Sequence, residues 1–186
     1  MVQIADFSFF FIHIFAKLIY IFVSHSWTQD SSHLITVARD GFAKVWRVVV
    51  QPDETGAQQV IDLLAVHSFS PFAGAAVTAV DVCRSGPLGK LTAAQGSRTN
   101  SWLVALGAES GDLQVWQVGP VSNISDENTE YVSQALLVVP EAHAHGATVR
   151  RLRWRPQQAQ EASGQLSWEL ASCGEDRTVR VHQISL

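Results

Sequence analysis

The chain has 186 residues, a length typical of one domain, and 47% of them are hydrophobic while 16% are charged. This composition supplies enough apolar side chains for a core and favours a folded body. Thirteen basic residues against seventeen acidic ones give a net charge of −4. That balance excludes the global positive field that is typical of many nucleic-acid-binding proteins.

The N-terminal segment, residues 1–21, differs from the rest of the chain. Residues 7–23 form an apolar run that is interrupted by His13 and Lys17. The run is slightly shorter than the roughly 20 residues that span a bilayer, and a lysine near its middle would cost about 2.5–3.5 kcal/mol on insertion. A signal peptide would need a basic region before the run and a cleavage site after it, and the sequence has neither. Three interpretations stay open: a segment foreign to the fold, which we favour, a membrane anchor, or a buried strand or helix.

From residue 22 onward the sequence predicts short strands separated by polar turns. The first group has strands at residues 22–27 and 33–37 and a hairpin that ends at Trp46. The second group begins with an outer strand at residues 59–66 and continues with residues 76–83, 102–107 and a hairpin to Trp116. The third group takes residues 133–139, 147–154, 167–172 and 178–184. Exposed loops are predicted at residues 84–101 and 156–164, and the Asn123 sequon is assigned to turn chemistry.

One pattern occurs three times, at residues 36–46, 106–116 and 172–182, and each copy is a tight polar turn followed by an alternating apolar strand. The turn position is held by Asp40, Ser110 and Asp176, and the closing position by Trp46, Trp116 and His182. The pattern resembles the last hairpins of WD-repeat blades, which are four-stranded antiparallel sheets stacked around a central channel. It predicts an all-β fold, a partial WD-repeat β-propeller with about three four-stranded blades over residues 22–186.

The polar residues of this pattern are interpreted as structural. A carboxylate at Asp40 or Asp176 can accept hydrogen bonds from the backbone of its own turn and so fix the register of two strands. WD repeats place a buried histidine where His145 stands, and a hydroxyl such as that of Ser172 then links it to a tryptophan. Because His182 takes the tryptophan position, we expect the third network to be incomplete. The predicted network residues are Thr36, Asp40, Trp46, Trp116, His145, Ser172 and Asp176.

One predicted strand is strongly basic, because it carries Arg150, Arg151, Arg153 and Arg155. On a strand of period two, Arg151, Arg153 and Arg155 share a face, and they form the candidate interaction surface. Such a row could meet an acidic protein surface or a nucleic-acid backbone. The alternative, which we favour, is that these arginines pair with carboxylates of adjacent blades and cover apolar surface with their stems.

The sequence offers no catalytic site. Glycine-rich phosphate loops, the Gly-x-Ser-x-Gly elbow and the His-Glu-x-x-His helix are all absent. His143 and His145 could begin a metal site, but no third ligand is near and one histidine is already assigned to the blade pattern. Cys83 and Cys173 lack zinc-ligand spacing and are expected to be buried free thiols. We therefore predict a non-enzymatic chain without cofactor or metal.

Four segments carry a more specific resemblance, residues 76–82, 102–116, 146–155 and 170–182. They resemble the C-terminal end of the second-subunit family of the Elongator complex, whose members carry WD repeats. The most discriminating segment is Ser-Cys-Gly-Glu-Asp followed by Val-x-Val-His at residues 172–182, which departs from an ordinary WD ending as that family does. The resemblance runs from about residue 22 to the C-terminus and is not found before it.

The resemblance implies a role as well as a fold. Members of the family have two propellers and act as scaffolds in a complex whose catalytic subunit modifies wobble uridines in tRNA. This chain would then correspond to about three blades of the second propeller. Its expected partners are the other Elongator subunits, including the catalytic subunit, with direct nucleic-acid or membrane contact not favoured, and its expected location is the cytoplasm and the nucleus. The alternative is a WD-repeat adaptor of another complex, anchored to a membrane through residues 7–23.

Overall fold

The structure is a computed structural model that describes residues 22–52, 59–84, 101–121, 129–155 and 167–185. Within those ranges the chain forms eleven β-strands and one short 3-10 helix, Glu141–His143. The strands are β1 Phe22–Trp27, β2 His33–Ala38, β3 Ala43–Pro52, β4 Gln59–Phe69, β5 Val77–Arg84, β6 Trp102–Ala108, β7 Leu113–Pro120, β8 Tyr131–Val138, β9 Val149–Trp154, β10 Ser167–Gly174 and β11 Val179–Ser185. The predicted all-β class is confirmed.

The strands form three antiparallel sheets with the orders β1-β2-β3-β4, β5-β6-β7-β8 and β11-β10-β9. In each sheet, strands that follow one another in the chain are neighbours, so each sheet is a meander built from one stretch of sequence. The first and second sheets have four strands, and the third has three within the described ranges. This is the expected architecture of a partial WD-repeat propeller.

The predicted boundaries between blades were wrong by one strand. Residues 59–66 were expected to open the second blade, but β4 pairs with β3 from Pro52↔Gln59 to Ala43↔Phe69 and completes the first sheet. Residues 133–139 were expected to open the third blade, but β8 pairs with β7 and completes the second sheet. β4 and β8 therefore each form the last strand of the sheet that precedes them in the chain.

The three sheets are arranged as a fan. β1, β5 and β9, which we call the inner strands, pack next to one another, whereas the outer strands β4 and β8 make only light contact. Side chains between the first and second sheets form one apolar core, including Ile35, Val45 and Val104. A second core, including Leu113 and Leu152, lies between the second and third sheets. Since alternate side chains of a strand point to opposite faces, the second sheet contributes to both cores.

The repeated turn has the same backbone form in all three sheets. The residue after the turn position has a positive φ in each copy, at Gly41 (82°), Gly111 (97°) and Arg177 (61°). In each copy its amide donates to the carbonyl three residues earlier, at 3.2 Å in all three sheets. This is a type I turn followed by a left-handed residue, a common three-residue hairpin connection. Two of the three positions use glycine, which adopts a positive φ without steric cost.

Several predictions fall on residues outside the described ranges. They are the interpretations of residues 1–21, most of the loop at residues 84–101, the turn around Asn123 and the loop at residues 156–164. None of the described segments is a helix long and apolar enough to cross a membrane.

Candidate interaction surface and buried polar networks

The third sheet contains a chain of polar contacts that joins four predicted positions. The Nδ1 atom of His145 lies 3.0 Å from both carboxylate oxygens of Asp176. Its Nε2 atom lies 2.8 Å from the Ser172 hydroxyl, and that hydroxyl lies 3.2 Å from Nε2 of His182. The contacts therefore link the β10–β11 turn, the segment before β9 and two neighbouring strands.

The charge on Asp176 fixes the direction of its own hydrogen bond with His145. Partial burial acts to raise the pKa of the Asp176 carboxyl, but hydrogen bonds from the Thr178 backbone and from His145 outweigh it and hold the pKa well below its usual value. An ionised carboxylate only accepts, so His145 must carry its proton on Nδ1. In the neutral ring, Nε2 then accepts from the Ser172 hydroxyl, and Ser172 in turn accepts from Nε2–H of His182.

The expectation that His182 leaves this network incomplete was wrong. In the first sheet the Trp46 indole donates to the Thr36 hydroxyl at 2.9 Å, ten residues earlier in the chain. His182 stands ten residues after Ser172 and makes the equivalent contact. An imidazole N–H can replace an indole N–H because both are ring donors that reach across to the neighbouring strand.

The Ser172, His145 and Asp176 side chains have the connectivity of a hydrolase triad, but not its accessibility. Ser172 is 2% exposed and His145 is 4% exposed. A nucleophilic serine needs a free path for the substrate carbonyl, and the Ser172 hydroxyl is instead held between two imidazoles. The arrangement acts as a structural link between strands.

The other two sheets carry only parts of this network. In the first sheet, Asp40 accepts the Phe42 amide at 3.0 Å within its own turn, apart from the Thr36–Trp46 pair. In the second sheet Leu106 stands where Thr36 and Ser172 stand in the other two, so Trp116 has no hydroxyl opposite it. Its indole donates to the Gln114 side chain at 2.8 Å instead.

Asp81 links all three sheets and was not identified from the sequence. Its carboxylate, on the inner strand β5, accepts from the Ser26 hydroxyl of β1 at 3.1 Å. It also accepts from the Trp154 amide of β9 at 2.7 Å and from Arg153 at 3.1 Å. The Trp154 indole donates to the Asp81 carbonyl at 3.1 Å. The available sequence signal is a single carboxylate inside the apolar run Val-Asp-Val at residues 80–82.

A second unpredicted cluster joins the first and second sheets around His33, which is fully buried. Its Nε2 lies 2.7 Å from the Tyr131 hydroxyl, and its Nδ1 lies 2.7 Å from the Ser32 hydroxyl. The ring also packs on Trp102, with centroids 4.7 Å apart. Burial lowers the pKa of His33 to about 4, so the ring is neutral near pH 7.

Most of the predicted arginine row is engaged in ion pairs. Arg153 pairs with Asp81 at 3.1 Å, Arg155 pairs with Glu169 at 2.6 Å, and Arg150 pairs with Glu175. Arg151 is exposed and makes no ion pair with another described residue. An interaction surface formed by Arg151, Arg153 and Arg155 stays a prediction.

Metal and thiol chemistry find little support in the described ranges. Within them no three His, Cys, Asp or Glu side chains come together at a spacing that could hold a metal ion. His145 uses both ring nitrogens in the network, which leaves none to pair with His143 at a metal. Both cysteines are free. Burial raises the pKa of the Cys83 thiol to about 12, which keeps it protonated and unreactive. Cys173 was expected to be buried as well, but it is half-buried.

A comparison with known proteins finds a family model that matches part of the chain. A family model described as "WD domain, G-beta repeat" matches residues 136–183. The matched stretch begins in β8 of the second sheet and ends in β11 of the third. One repeat in the sequence therefore contributes to two sheets. This explains why the predicted blade boundaries were one strand away from the boundaries between the sheets.

Relatives of greater length match most of the chain. "Elongator complex protein 2" of Drosophila melanogaster is 29% identical over 165 residues, which cover 88% of this chain and 17% of that protein. The Rattus norvegicus protein of the same name is 30% identical over 170 residues, covering 87% of this chain and 18% of its own length. Among solved structures, the chain is similar to the computationally designed Ika4 protein at 16% identity and a TM-score of 0.36, covering 88% of this chain and 91% of that one. Residues 136–183 match the WD-repeat family, and the chain is similar to less than a fifth of the length of proteins named Elongator complex protein 2.

Proposed function

We propose that this chain is a non-catalytic scaffold segment of the Elongator complex. In this role it supports the modification of wobble uridines in tRNA through protein–protein contacts, without reacting with the tRNA itself. The observation that carries the proposal is the similarity to proteins named Elongator complex protein 2 over 88% of the chain. Its partners are the other Elongator subunits, including the catalytic subunit, in the cytoplasm and the nucleus.

The polar chemistry of the described residues supports a scaffold rather than an enzyme. The groups that could carry out catalysis form hydrogen bonds that hold strands together. His145 and Ser172 do so within the third sheet, and Asp81 does so between the sheets. Buried polar groups that are fully hydrogen-bonded make a structure rigid, because breaking any one contact leaves its partner unsatisfied. A rigid body with exposed sheet edges and faces is suited to present a fixed surface to other proteins.

Co-purification from cells tests this proposal. The tagged full chain is expected to recover the Elongator catalytic subunit, while a tagged WD-repeat protein of an unrelated complex should not. The same cell extract is then fractionated, and the membrane pellet is washed with carbonate. Repeated absence of the catalytic subunit, together with retention of the chain in the washed pellet, would overturn the proposal in favour of a membrane-anchored adaptor.

A further inference from the structure

A chain of hydrogen bonds runs from the surface of the first sheet into its contact with the second sheet. It begins at Asp30, which is exposed in the β1–β2 turn and whose Oδ1 atom lies 2.7 Å from the Ser32 hydroxyl. That hydroxyl lies 2.7 Å from Nδ1 of His33, and Nε2 of His33 lies 2.7 Å from the Tyr131 hydroxyl at the start of β8. We call these four residues the Asp30 relay.

The carboxylate at the surface end of the relay is an acceptor. Partial burial acts to raise the pKa of the Asp30 carboxyl, but hydrogen bonds from Thr28 and Ser32 outweigh it and hold the pKa below its usual value. Its Oδ1 atom accepts from the Thr28 hydroxyl at 2.7 Å and from the Ser32 amide at 3.1 Å, which fixes its position in the turn. Since an ionised carboxylate only accepts, the Ser32 hydroxyl donates its single proton to Asp30.

This donation leaves one arrangement for the buried histidine. The Ser32 oxygen can then only accept from the ring, so Nδ1 of His33 must carry a proton. Burial lowers the pKa of His33 to about 4, so the ring has a single proton near pH 7 and Nε2 has none. Nε2 therefore accepts from the Tyr131 hydroxyl. Every hydrogen bond of the Asp30 relay points from Tyr131 towards Asp30.

The same positions of the heavy atoms also fit the opposite direction. If the Ser32 hydroxyl donated to Nδ1, the proton of His33 would lie on Nε2, and the ring would donate to the Tyr131 oxygen. His33, Ser32 and Tyr131 would each keep their contact. Asp30 alone would lose one, a charge-assisted hydrogen bond of about twice the strength of a neutral one. The preference between the two directions therefore depends on Asp30.

We propose that Asp30 is a positioning residue that sets, from the surface of the first sheet, the direction of the buried hydrogen bond between His33 and Tyr131. The relay has two arrangements of protons in one arrangement of heavy atoms. Loss of the carboxylate at the turn is thereby transmitted to β8 of the second sheet without movement of the backbone. The proposal is independent of any binding partner and of the proposed function.

A second turn of the chain supplies a matched control. In the β6–β7 turn the Ser110 hydroxyl donates to the Asp112 carboxylate at 2.7 Å, the same contact as that of Ser32 with Asp30. Ser110 is followed by Gly111, whereas Ser32 is followed by His33. Asp112→Ala therefore removes a carboxylate from a serine in an exposed turn without removing one that acts on a histidine.

Nitrogen NMR of the full chain, labelled in its histidine side chains, tests the direction at pH 7. His33 is identified by the signal that His33→Gln removes, and it is expected to carry its proton on Nδ1. Asp30→Ala should raise the form protonated on Nε2 to at least half of the population, because nothing then holds the Ser32 proton. Asp30→Asn should keep the native form, since its amide oxygen still accepts from Ser32. Asp112→Ala should keep it as well.

A double-mutant cycle gives a second, independent readout of the relay. Asp30→Ala and Tyr131→Phe are each expected to raise the equilibrium constant of unfolding in urea. Their combined effect should be at least threefold smaller than the product of the two single effects, because residues in one hydrogen-bond network do not act additively. For Asp112→Ala with Tyr131→Phe, the combined effect should agree with the product within 1.5-fold, about the error of such cycles. Cooperative urea transitions establish that the variants are folded.

Two results would overturn the proposal. A native His33 that carries its proton on Nε2 would show that the relay points the other way, and this measurement requires no variant to fold. An Nδ1 proton that stays in place in folded Asp30→Ala, together with additive effects of Asp30→Ala and Tyr131→Phe, would show that Asp30 does not set the direction. Neither result bears on Elongator binding, so the proposed function is tested separately.

Discussion

Trp154 donates its backbone amide to the Asp81 carboxylate at 2.7 Å, although the two residues are 73 positions apart and lie in different sheets. The same carboxylate accepts from Ser26 in the remaining sheet. One side chain therefore links the three inner strands β1, β5 and β9. This gives the fan a specific polar link in addition to its two apolar cores.

Asp81→Ala is expected to lower the free energy of unfolding by about 3 kcal/mol, because it leaves the buried Trp154 amide without an acceptor and removes the partner of Arg153. Urea unfolding followed by tryptophan fluorescence measures the loss. Glu109→Ala, at an exposed turn, is the control and should change the free energy by less than about 0.5 kcal/mol. An Asp81→Ala chain that unfolds at the native urea midpoint would show that this link contributes nothing.

The sequence predicted the strands and the repeated turn because both are local properties. Alternating apolar residues identify a strand, and the polar turn before Trp46, Trp116 and His182 identifies a hairpin, whatever the rest of the chain does. The assignment of strands to sheets failed for β4 and β8, since the alternation is identical whether a strand pairs with the preceding strand or the following one. That choice depends on hydrogen bonds between strands, which the pattern does not contain.

The polar contacts within one sheet could likewise be predicted from the sequence, whereas those between sheets could not. Networks within one sheet, such as His145 with Asp176, follow spacings that the repeat fixes. Contacts between sheets, such as Asp81 with Trp154 or His33 with Tyr131, join residues 73 and 98 positions apart, and no spacing rule connects them. A lone polar residue in an apolar strand is the only local sign of such a contact, and it does not identify the partner.

His33 should make the folded state less stable in mild acid. Its pKa is about 4 when folded and about 6.5 when unfolded, so between these values the unfolded chain binds a proton that the folded chain does not. Stability is therefore fully present above pH 6.5 and falls as the pH is lowered to 4, by about 3 kcal/mol from this residue. His67 and His182 also have lowered pKa values because of burial, and they act in the same direction.

Urea midpoints measured from pH 7.5 to pH 4.5 test the role of His33. The native chain should lose stability steadily over this range, and His33→Gln, which cannot be protonated, should show a smaller slope even if it is less stable at pH 7. Gln134→Ala, at an exposed residue of β8 that does not titrate, is the control and should keep the native slope. Equal slopes for the native chain and His33→Gln would show that groups other than His33 cause the acid sensitivity.

His182→Trp should be tolerated and should stabilise the third sheet. The indole N–H can donate to Ser172 as that of Trp46 donates to Thr36, while the larger ring buries more apolar surface. We expect a gain of about 1 kcal/mol, or roughly 3 °C in Tm. His182→Phe separates the two contributions, because it fills the site without donating. The tryptophan variant should exceed the phenylalanine variant by about 1 kcal/mol, and equal melting temperatures would indicate that the Ser172 contact adds no stability.

Gly111 and Gly146 should respond very differently to the same substitution. Gly111 has a φ of 97°, and a Cβ added there would collide with the His145 carbonyl oxygen, a backbone atom that cannot move without shifting the network residue itself. Gly146 lies directly after His145, but a Cβ there would meet nothing within 4 Å. Gly111→Ala is therefore expected to cost more than about 3 kcal/mol, whereas Gly146→Ala should stay within about 1 kcal/mol of the native chain. Chemical unfolding of the two variants compares them directly. If they are equally stable, the β6–β7 turn does not approach the segment before β9 as closely as the structure places it.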